Sequence, residues 1–189
     1  MQDADIRTLL GEVSVLSGVS PTDLARLAAV LDQWMRDDLK AKPLKALQGM
    51  IWNEGYEMRK LRGVVFDDAA VALRAWHTQK IRLAVYSSGS VLAQKLLFKT
   101  AAQGDLTSLF VGFFDTNVGP KRETSSYTRI ATELGLSTSD ILFLSDAPEE
   151  LDAAAGAGMQ TVQVARAMDG TLPSGRHAYV TALTDIVLT

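Results

Sequence analysis

The sequence predicts an α/β fold: a parallel β-sheet with helices on both faces, preceded by a region that is wholly helical. Two observations support this class. Apolar residues follow a helical spacing from about residue 6 to residue 56, and no strand pattern occurs before about residue 80. After that point, short β-rich runs alternate with helical runs, which is the pattern of a parallel sheet with helical crossovers.

Residues 1–62 are predicted to form the helical region. The run LARLAAVLDQWM places apolar residues three and four positions apart, as one face of a helix requires. These residues are Leu24, Leu27, Ala28, Leu31 and Met35. The preceding SPTD at 20–23 is a candidate N-cap with proline at the first helical position, and PLKALQGMIWNEGY is predicted to form another helix.

Residues 63–189 are predicted to form the α/β part, after a boundary near 60–68. The predicted strands are IRLAVY at 81–86, LFVGFF at 109–114, ILFLSD from 141 and TVQVAR from 161. The predicted helices between them lie in VLAQKLLFKTAA, SSYTRIATELG and EELDAAAGAG. Because crossovers between parallel strands are right-handed, the carboxyl ends of the strands share one edge, and open sheets bind their ligands at that edge.

Composition and charge narrow the class of partner. The chain has 19 Lys and Arg residues against 22 Asp and Glu, a formal charge of -3 and no basic stripe, so nucleic acid is not expected. It has no cysteine, which excludes disulfides and thiolate metal sites. The first residues lack a signal-peptide pattern, and no apolar run is long enough to span a membrane. We therefore expect a cytoplasmic protein that binds a small molecule.

A cluster of hydroxyl residues, SSGS, follows the predicted strand 81–86 and has two interpretations. The hydroxyls of Ser87 and Ser88 could cap the following helix, with Gly89 easing the turn. Alternatively, the hydroxyls and the backbone N–H groups at the helix N-terminus hold a phosphate, because the helix dipole and the donors both favour an anion there. The cluster alone does not decide between the two.

Two further polar clusters contain Lys121 in GPKRE and Asp146 at the end of ILFLSD. Lys121 is either a solvated lysine before a helix or a cation that neutralises a phosphate. Asp146 is either the N-cap of the next helix or an oxygen ligand of Mg²⁺, which takes one or two carboxylates. The nearby acids Glu149, Glu150 and Asp152 are expected to support the site rather than bind metal. Together the three clusters predict a phosphate site with a divalent metal.

Four longer stretches carry these clusters: LKALQGMIW at 44–52, VYSSGSVLAQKLLF at 85–98, FDTNVGPKRETSSYTRIA at 114–131 and ILFLSDAPEELDAAAGAGM at 141–159. They resemble the acireductone synthase family, the enolase-phosphatases of methionine salvage within the haloacid dehalogenase superfamily. The resemblance spans about residues 22–165. It implies a haloacid dehalogenase-like (HAD-like) three-layer α/β/α core with a parallel sheet in residues 63–189. It also implies that residues 1–62 form most of an α-helical cap.

The resemblance also implies an activity and roles for single residues. Ser87 and Ser88 would bind the substrate phosphate, Lys121 would bridge the phosphate and the nucleophile, and Asp146 would ligate Mg²⁺. The family converts 5-(methylthio)-2,3-dioxopentyl 1-phosphate to its enol, and then to 1,2-dihydroxy-5-(methylthio)pent-1-en-3-one and phosphate. We therefore expect a Mg²⁺-dependent phosphatase that binds a small phosphorylated molecule and is a monomer.

One part of the family pattern does not occur in these 189 residues. The superfamily's first motif is an apolar strand followed by Asp, any residue, a second acid and Gly-Thr. This motif supplies the attacking aspartate, metal ligands and a central strand of the sheet. The nearest sequence is VVFDDAA at 64–70, where Asp67 or Asp68 is expected to cap a helix rather than to attack phosphorus. We therefore expect no turnover from this chain, and hypothesise an N-terminally truncated or mis-started gene model.

Two alternative functions stay open. The first is a pseudoenzyme of the same fold that binds a phosphorylated metabolite without catalysis. The second is a different phosphatase or a phosphomutase with a helical cap, which the family-specific residues around SSGS disfavour.

Overall fold

The computed structural model describes residues 2–37, 39, 41–57 and 63–188. The chain divides into two compact units, residues 1–61 and 62–189. The boundary expected between residues 62 and 63 falls beside a segment that lies outside the described residues. The assignment of the first unit as a cap stays a prediction.

The first unit consists of the helices α1 (Gln2–Ser17), α2 (Leu24–Arg36) and α3 (Lys42–Glu57). Val13, Leu27 and Leu47 form its buried centre, one residue from each helix. The amphipathic pattern predicted for α2 is only partly buried, since Leu27 is inaccessible while Leu24 is exposed.

The predicted start of α2 was wrong by one turn. Asp23, not Ser20, accepts the capping hydrogen bond, from the backbone N–H of Arg26 at 3.1 Å. Pro21 lies in the turn before the helix rather than in its first helical position. Aspartate and serine are equally favoured as N-caps, so the sequence alone did not distinguish a helix start after Ser20 from one after Asp23.

In the second unit helices and strands alternate as predicted. The helices are α4 (Asp67–Thr78), α5 (Val91–Lys99), α6 (Thr124–Leu134) and α7 (Pro148–Gly156). The strands are β1 (Leu83–Tyr86), β2 (Phe110–Phe114), β3 (Leu142–Ser145), β4 (Gln160–Val164) and the short β5 (Tyr179–Val180). The α/β class with parallel strands is therefore confirmed.

Hydrogen bonding groups the strands into two parallel sheets. One sheet pairs β1 with β2, and the other has the order β3–β4–β5. Within the described part of the chain β1 and β3 share no ladder, so each has one edge without a strand partner. In each sheet the carboxyl ends lie side by side, with Tyr86 opposite Phe114 and Ser145 opposite Gln163.

Two apolar clusters draw residues from both sheets. In one, Leu83 of β1 is buried and Leu144 of β3 packs against the cluster. In the other, the fully buried Tyr127 of α6 contacts Tyr86 edge-on at 5.6 Å and Phe143 at 4.9 Å between ring centroids. Tyr127 therefore connects the carboxyl end of β1 to β3.

None of the helices in the described ranges is both long enough and apolar enough to cross a lipid bilayer.

Candidate functional site

The segment after β1, residues 87–90, is called the hydroxyl loop below. Ser90, not Ser87 or Ser88, caps α5, because its Oγ accepts from the backbone N–H of Ala93 at 3.2 Å. Ser87 Oγ accepts from the backbone N–H of Gly89 at 3.2 Å, and Ser88 is exposed to solvent. The helix-cap interpretation therefore applies to Ser90 and leaves Ser87 and Ser88 for another role.

The segment after β2, residues 115–123, is called the lysine loop. Asp115 holds its start, since its carboxylate accepts from the backbone N–H groups of Asn117 at 2.9 Å and Val91 at 3.4 Å. The carbonyl of Gly119 accepts from the Tyr86 hydroxyl at 2.8 Å. These bonds fix the lysine loop against the end of β1 and the first residue of α5.

Lys121 is not a solvated lysine. Its ammonium donates to Glu150 Oε2 at 2.6 Å, and the two side chains are only 22% and 15% exposed. The ammonium also lies 5.6 Å from the centre of the Tyr86 ring, the residue directly before the hydroxyl loop. The Tyr127 hydroxyl donates to the Lys121 carbonyl at 2.6 Å, which fixes the backbone at this position.

Glu150 has a more specific position than the sequence indicated. Besides Lys121, its Oε2 accepts from the Ser145 hydroxyl at 2.9 Å. Ser145 Oγ also accepts from the backbone N–H of Ala147 at 3.1 Å. The end of β3, the start of α7 and the lysine loop are therefore joined through one carboxylate.

Asp146 lies at the carboxyl end of β3, as predicted, and is exposed. It does not cap α7, whose N-cap is Ala147 without a side-chain hydrogen bond. Its backbone carbonyl accepts from Gln163 Nε2 at 3.3 Å. Across the residues that the structure describes, no three Asp, Glu, His or Cys side chains converge to hold a metal. The role of Asp146 as a Mg²⁺ ligand stays a prediction.

The two tyrosines of this region stay protonated well above neutral pH. Burial is the largest effect on the pKa of Tyr86 and raises it. The Ser126 side chain opposes this increase, while the negative charges of Glu150 and Glu123 add to it. Burial and the carboxylate of Glu150 also raise the pKa of Tyr127. Both phenols therefore remain hydrogen-bond donors to the lysine loop.

The acids of VVFDDAA have structural partners. Asp68 Oδ2 accepts from Arg166 Nη2 and from the backbone N–H of Leu183, both at 2.7 Å. Although burial acts to raise the pKa of Asp68, these hydrogen bonds outweigh it and lower the pKa. Asp67 accepts from Gln103 Nε2 at 2.7 Å.

The cap expected at these aspartates was wrong, because α4 is preceded by Phe66, which forms no capping bond. Both carboxylates begin the helix itself, and distant residues supply their donors.

Sequence reasoning missed two residues of the region, Glu150 as the partner of Lys121 and Asp115 as the anchor of the lysine loop. Asp115 had a detectable signal, because FFD ends β2 in the same way that LSD ends β3. Glu150 had none beyond its place in α7, since its partner is 29 residues away in the sequence.

Comparisons with known proteins agree on one family. A family model for haloacid dehalogenase-like hydrolases matches residues 10–158. Enolase-phosphatase E1 of Pseudomonas aeruginosa strain LESB58 is 47% identical over an alignment of 189 residues, which covers 98% of this chain and 81% of that protein. The protein of the same name from Pseudomonas syringae pv. syringae is 51% identical over 173 residues, covering 92% and 75%.

A solved structure is similar over nearly the whole chain. The crystal structure of the UTR4 protein of Saccharomyces cerevisiae superimposes with a TM-score of 0.74 at 33% identity. The superposition covers 97% of this chain and 87% of the yeast protein.

Proposed function

The chain belongs to the enolase-phosphatase E1 family of haloacid dehalogenase-like hydrolases, and on that premise we propose that it binds 5-(methylthio)-2,3-dioxopentyl 1-phosphate. One observation carries the proposal. The Lys121 ammonium lies against the ring of Tyr86, directly before the hydroxyl loop. A cation and two serine hydroxyls at the neighbouring carboxyl ends of β1 and β2 are suited to binding a phosphate monoester.

Ser87 and Ser88 are the proposed donors to the phosphate oxygens. Their hydroxyls are not used to cap α5, because Ser90 has that role. Ser88 is exposed at the end of the strand and can turn its hydroxyl toward a ligand. Hydrogen bonds to a charged oxygen contribute about 1.5–3 kcal/mol each, so two such donors would supply much of the phosphate affinity.

Lys121 is the proposed counter-charge. In the structure Glu150 compensates its charge at 2.6 Å. When a phosphate binds, the ammonium can bridge the phosphate and the carboxylate, since an ammonium has three donors. Glu150 then keeps the ammonium in place while the phosphate charge is neutralised.

Asp146 is the proposed Mg²⁺ ligand. The donor chemistry fits, because Mg²⁺ takes one or two carboxylates and leaves its other positions to water and substrate oxygens. Asp146 is an exposed carboxylate at the strand edge, whereas Glu150 is committed to Lys121. When bound, Mg²⁺ would polarise the dicarbonyl for enolisation and neutralise the phosphoryl group.

Turnover is a separate question from binding. The 189 residues contain no Asp-x-acid motif with a following Gly-Thr, and Asp67 and Asp68 are held by Gln103 and Arg166. We propose that this polypeptide by itself binds the substrate phosphate without hydrolysing it. On this proposal, the purified chain would behave as a non-catalytic binding protein of the same fold.

Calorimetric titration with the dioxopentyl phosphate in Mg²⁺, together with a phosphate-release assay, tests the proposal. We expect saturable binding, no phosphate release, and a loss of affinity of about tenfold or more in Lys121→Met, as one charge-assisted contact implies. Lys99→Met removes an exposed lysine from the end of α5 and is the matched control, with unchanged affinity expected. Equal losses in both variants would contradict the site, and phosphate release at an ordinary enzymatic rate would contradict the absence of a nucleophile.

A further inference from the structure

A buried amide lies beneath the hydroxyl loop. Gln94, in α5, is only 5% exposed. Its Nε2 donates to the backbone carbonyl of Gly89 at 2.8 Å and to that of Phe114 at 2.8 Å. Burying an amide is unfavourable unless its polar atoms are paired, so an apolar side chain would be the simpler choice at a purely structural position.

The two carbonyls that Gln94 contacts determine where the hydroxyl loop lies. Gly89 belongs to the loop, and Phe114 is the last residue of β2. The Phe114 carbonyl also accepts from the backbone N–H of Ser87 at 3.0 Å. One side chain therefore holds the loop directly at Gly89 and, through a shared acceptor, at Ser87. Ser88 lies between these two anchors.

The orientation of the Gln94 amide is fixed by its partners. Both neighbours are carbonyl oxygens, so only the NH₂ end can face them. Within the described part of the chain its Oε1 is buried and accepts no hydrogen bond. The amide therefore makes hydrogen bonds only through its NH₂ group. The two bonds go to the hydroxyl loop and to the strand end next to it.

We propose that Gln94 is a positioning residue, which holds Ser87 and Ser88 in the conformation that binds phosphate. The inference rests on the proposed phosphate site. Gln94 itself does not touch the ligand, and it acts through the two carbonyls that it ties together.

A second buried glutamine provides a matched control. Gln163, in β4, is 1% exposed, and its Nε2 donates to the carbonyls of Leu172 at 3.0 Å and Asp146 at 3.3 Å. Its Oε1 accepts from the backbone N–H of Ser174 at 2.8 Å. Gln163 therefore has the same residue type, burial and kind of contact, but it anchors the segment of Asp146 rather than the hydroxyl loop.

The test compares Gln94→Met and Gln163→Met in the full chain. Calorimetry in buffer without Mg²⁺ measures the affinity for inorganic phosphate, so that Asp146 cannot act on the ligand through a bound metal. Urea unfolding measures stability, and hydrogen exchange measures the backbone at 87–90 and 145–147. We expect Gln94→Met to weaken phosphate binding by about tenfold, as the loss of one well-placed hydrogen bond to the ligand would. It should also accelerate exchange at 87–90. Gln163→Met should accelerate exchange at 145–147 and leave phosphate affinity within about twofold, below the cost of any single hydrogen bond.

The outcomes separate this inference from the function on which it rests. If the parent chain binds no phosphate, the proposed function fails and the inference fails with it. If the parent binds phosphate but Gln94→Met binds it equally well, or if both variants lose affinity equally, only the role of Gln94 is overturned. Should Gln94→Met not fold, Gln94→Asn keeps a neutral amide but shortens the side chain by one methylene, so that it no longer spans the two carbonyls, and it carries the same expectation.

Discussion

The two halves of the candidate site are each fixed by a different kind of interaction. The hydroxyl loop, after β1, is fixed by neutral hydrogen bonds from Gln94 and by the cap at Ser90. The charged half, formed by the lysine loop and the end of β3, is organised around the ion pair of Lys121 and Glu150. The first half presents hydroxyls and the second presents a compensated cation.

This difference indicates what each half contributes. Neutral hydrogen bonds fix geometry without depending on pH or salt near neutrality. A partly buried ion pair adds little net stability, because desolvation of the charges offsets their attraction. Its effect is to position Lys121 and to compensate its charge until an anion binds. The hydroxyl loop should therefore control the geometry of phosphate binding. The charged half should control the strength of the electrostatic attraction to the phosphate.

The largest loss of stability is expected from a substitution at Gly119, in the lysine loop of the charged half. Its φ of 142° is a conformation that L side chains rarely adopt, and a Cβ there would overlap the hydroxyl oxygen of the buried Ser126. We expect Gly119→Ala to lower the free energy of unfolding by about 2–4 kcal/mol, from backbone strain and overpacking together.

Urea unfolding of Gly119→Ala and Gly170→Ala checks the reason for this loss. Gly170 also has a positive φ, of 74°, but no atom lies within 4 Å of a Cβ built there. Its substitution should cost only the strain, about 1–2 kcal/mol. Equal losses in the two variants would show that the contact with Ser126 is unimportant.

The next largest loss of stability is expected when the Tyr127 hydroxyl, which contacts the same half, is removed. Tyr127 is fully buried, and its hydroxyl donates to the Lys121 carbonyl at 2.6 Å. Tyr127→Phe keeps the ring but leaves that carbonyl without this donor, which should cost about 1–3 kcal/mol of unfolding free energy in urea. Tyr179→Phe, at a tyrosine that is 54% exposed, should change stability by less than about 0.5 kcal/mol. Similar values for the two would contradict the anchoring role of Tyr127.

The elements of the fold were predictable because hydrophobic periodicity is local. The errors concern ends, and β1 is an example. The run 81–86 was expected to be strand throughout, but β1 begins at Leu83. The reason is the turn that ends α4, where Lys80 has a φ of 67° and the Ile81 N–H still donates to the Trp76 carbonyl at 3.0 Å.

The site was predictable only in part, for a related reason. Ser87, Lys121 and Asp146 follow strand ends that the sequence reveals. The partners of these residues are distant in sequence, and no local pattern marks them. Asp68 shows the same limit, since it was expected to cap a helix but pairs with Arg166, 98 residues later. Which carboxylate meets which cation is decided by the fold and not by the neighbouring residues.

A smaller change in stability should distinguish the roles of Ser90 and Ser88, two hydroxyl residues of the hydroxyl loop. Ser90 caps α5, so Ser90→Ala should lower stability by about 1 kcal/mol, the usual loss for an N-cap. Ser88 is exposed, so Ser88→Ala should leave stability within about 0.5 kcal/mol but weaken inorganic phosphate binding by about tenfold. Urea unfolding and calorimetry on both variants measure the two quantities. A greater loss of phosphate affinity in Ser90→Ala than in Ser88→Ala would reverse the assignment.

The smallest expected effect is a change in two tyrosine pKa values when the charge of Glu150, in the charged half, is removed. Burial is the largest cause of the raised pKa of Tyr86 and Tyr127, and the carboxylate of Glu150 raises both further. Glu150→Gln keeps an acceptor for Lys121 and Ser145 but removes the charge. We therefore expect the pKa of both phenols to fall toward the ordinary value of 10.0 without reaching it. Phenolate absorbance across an alkaline titration of the folded protein measures this shift.

The same substitution should change how stability depends on alkaline pH. A phenol whose pKa is raised by folding contributes stability that is complete below its unfolded pKa of about 10 and is lost as pH rises through the folded pKa. Between these two pKa values the parent should lose unfolding free energy over a wider pH range than Glu150→Gln, because its folded pKa values are higher. Glu149→Gln is the control, because Glu149 pairs with Arg176 at 3.3 Å instead. If it shifted the phenols as much as Glu150→Gln does, the specific link between Glu150 and the tyrosines would be wrong.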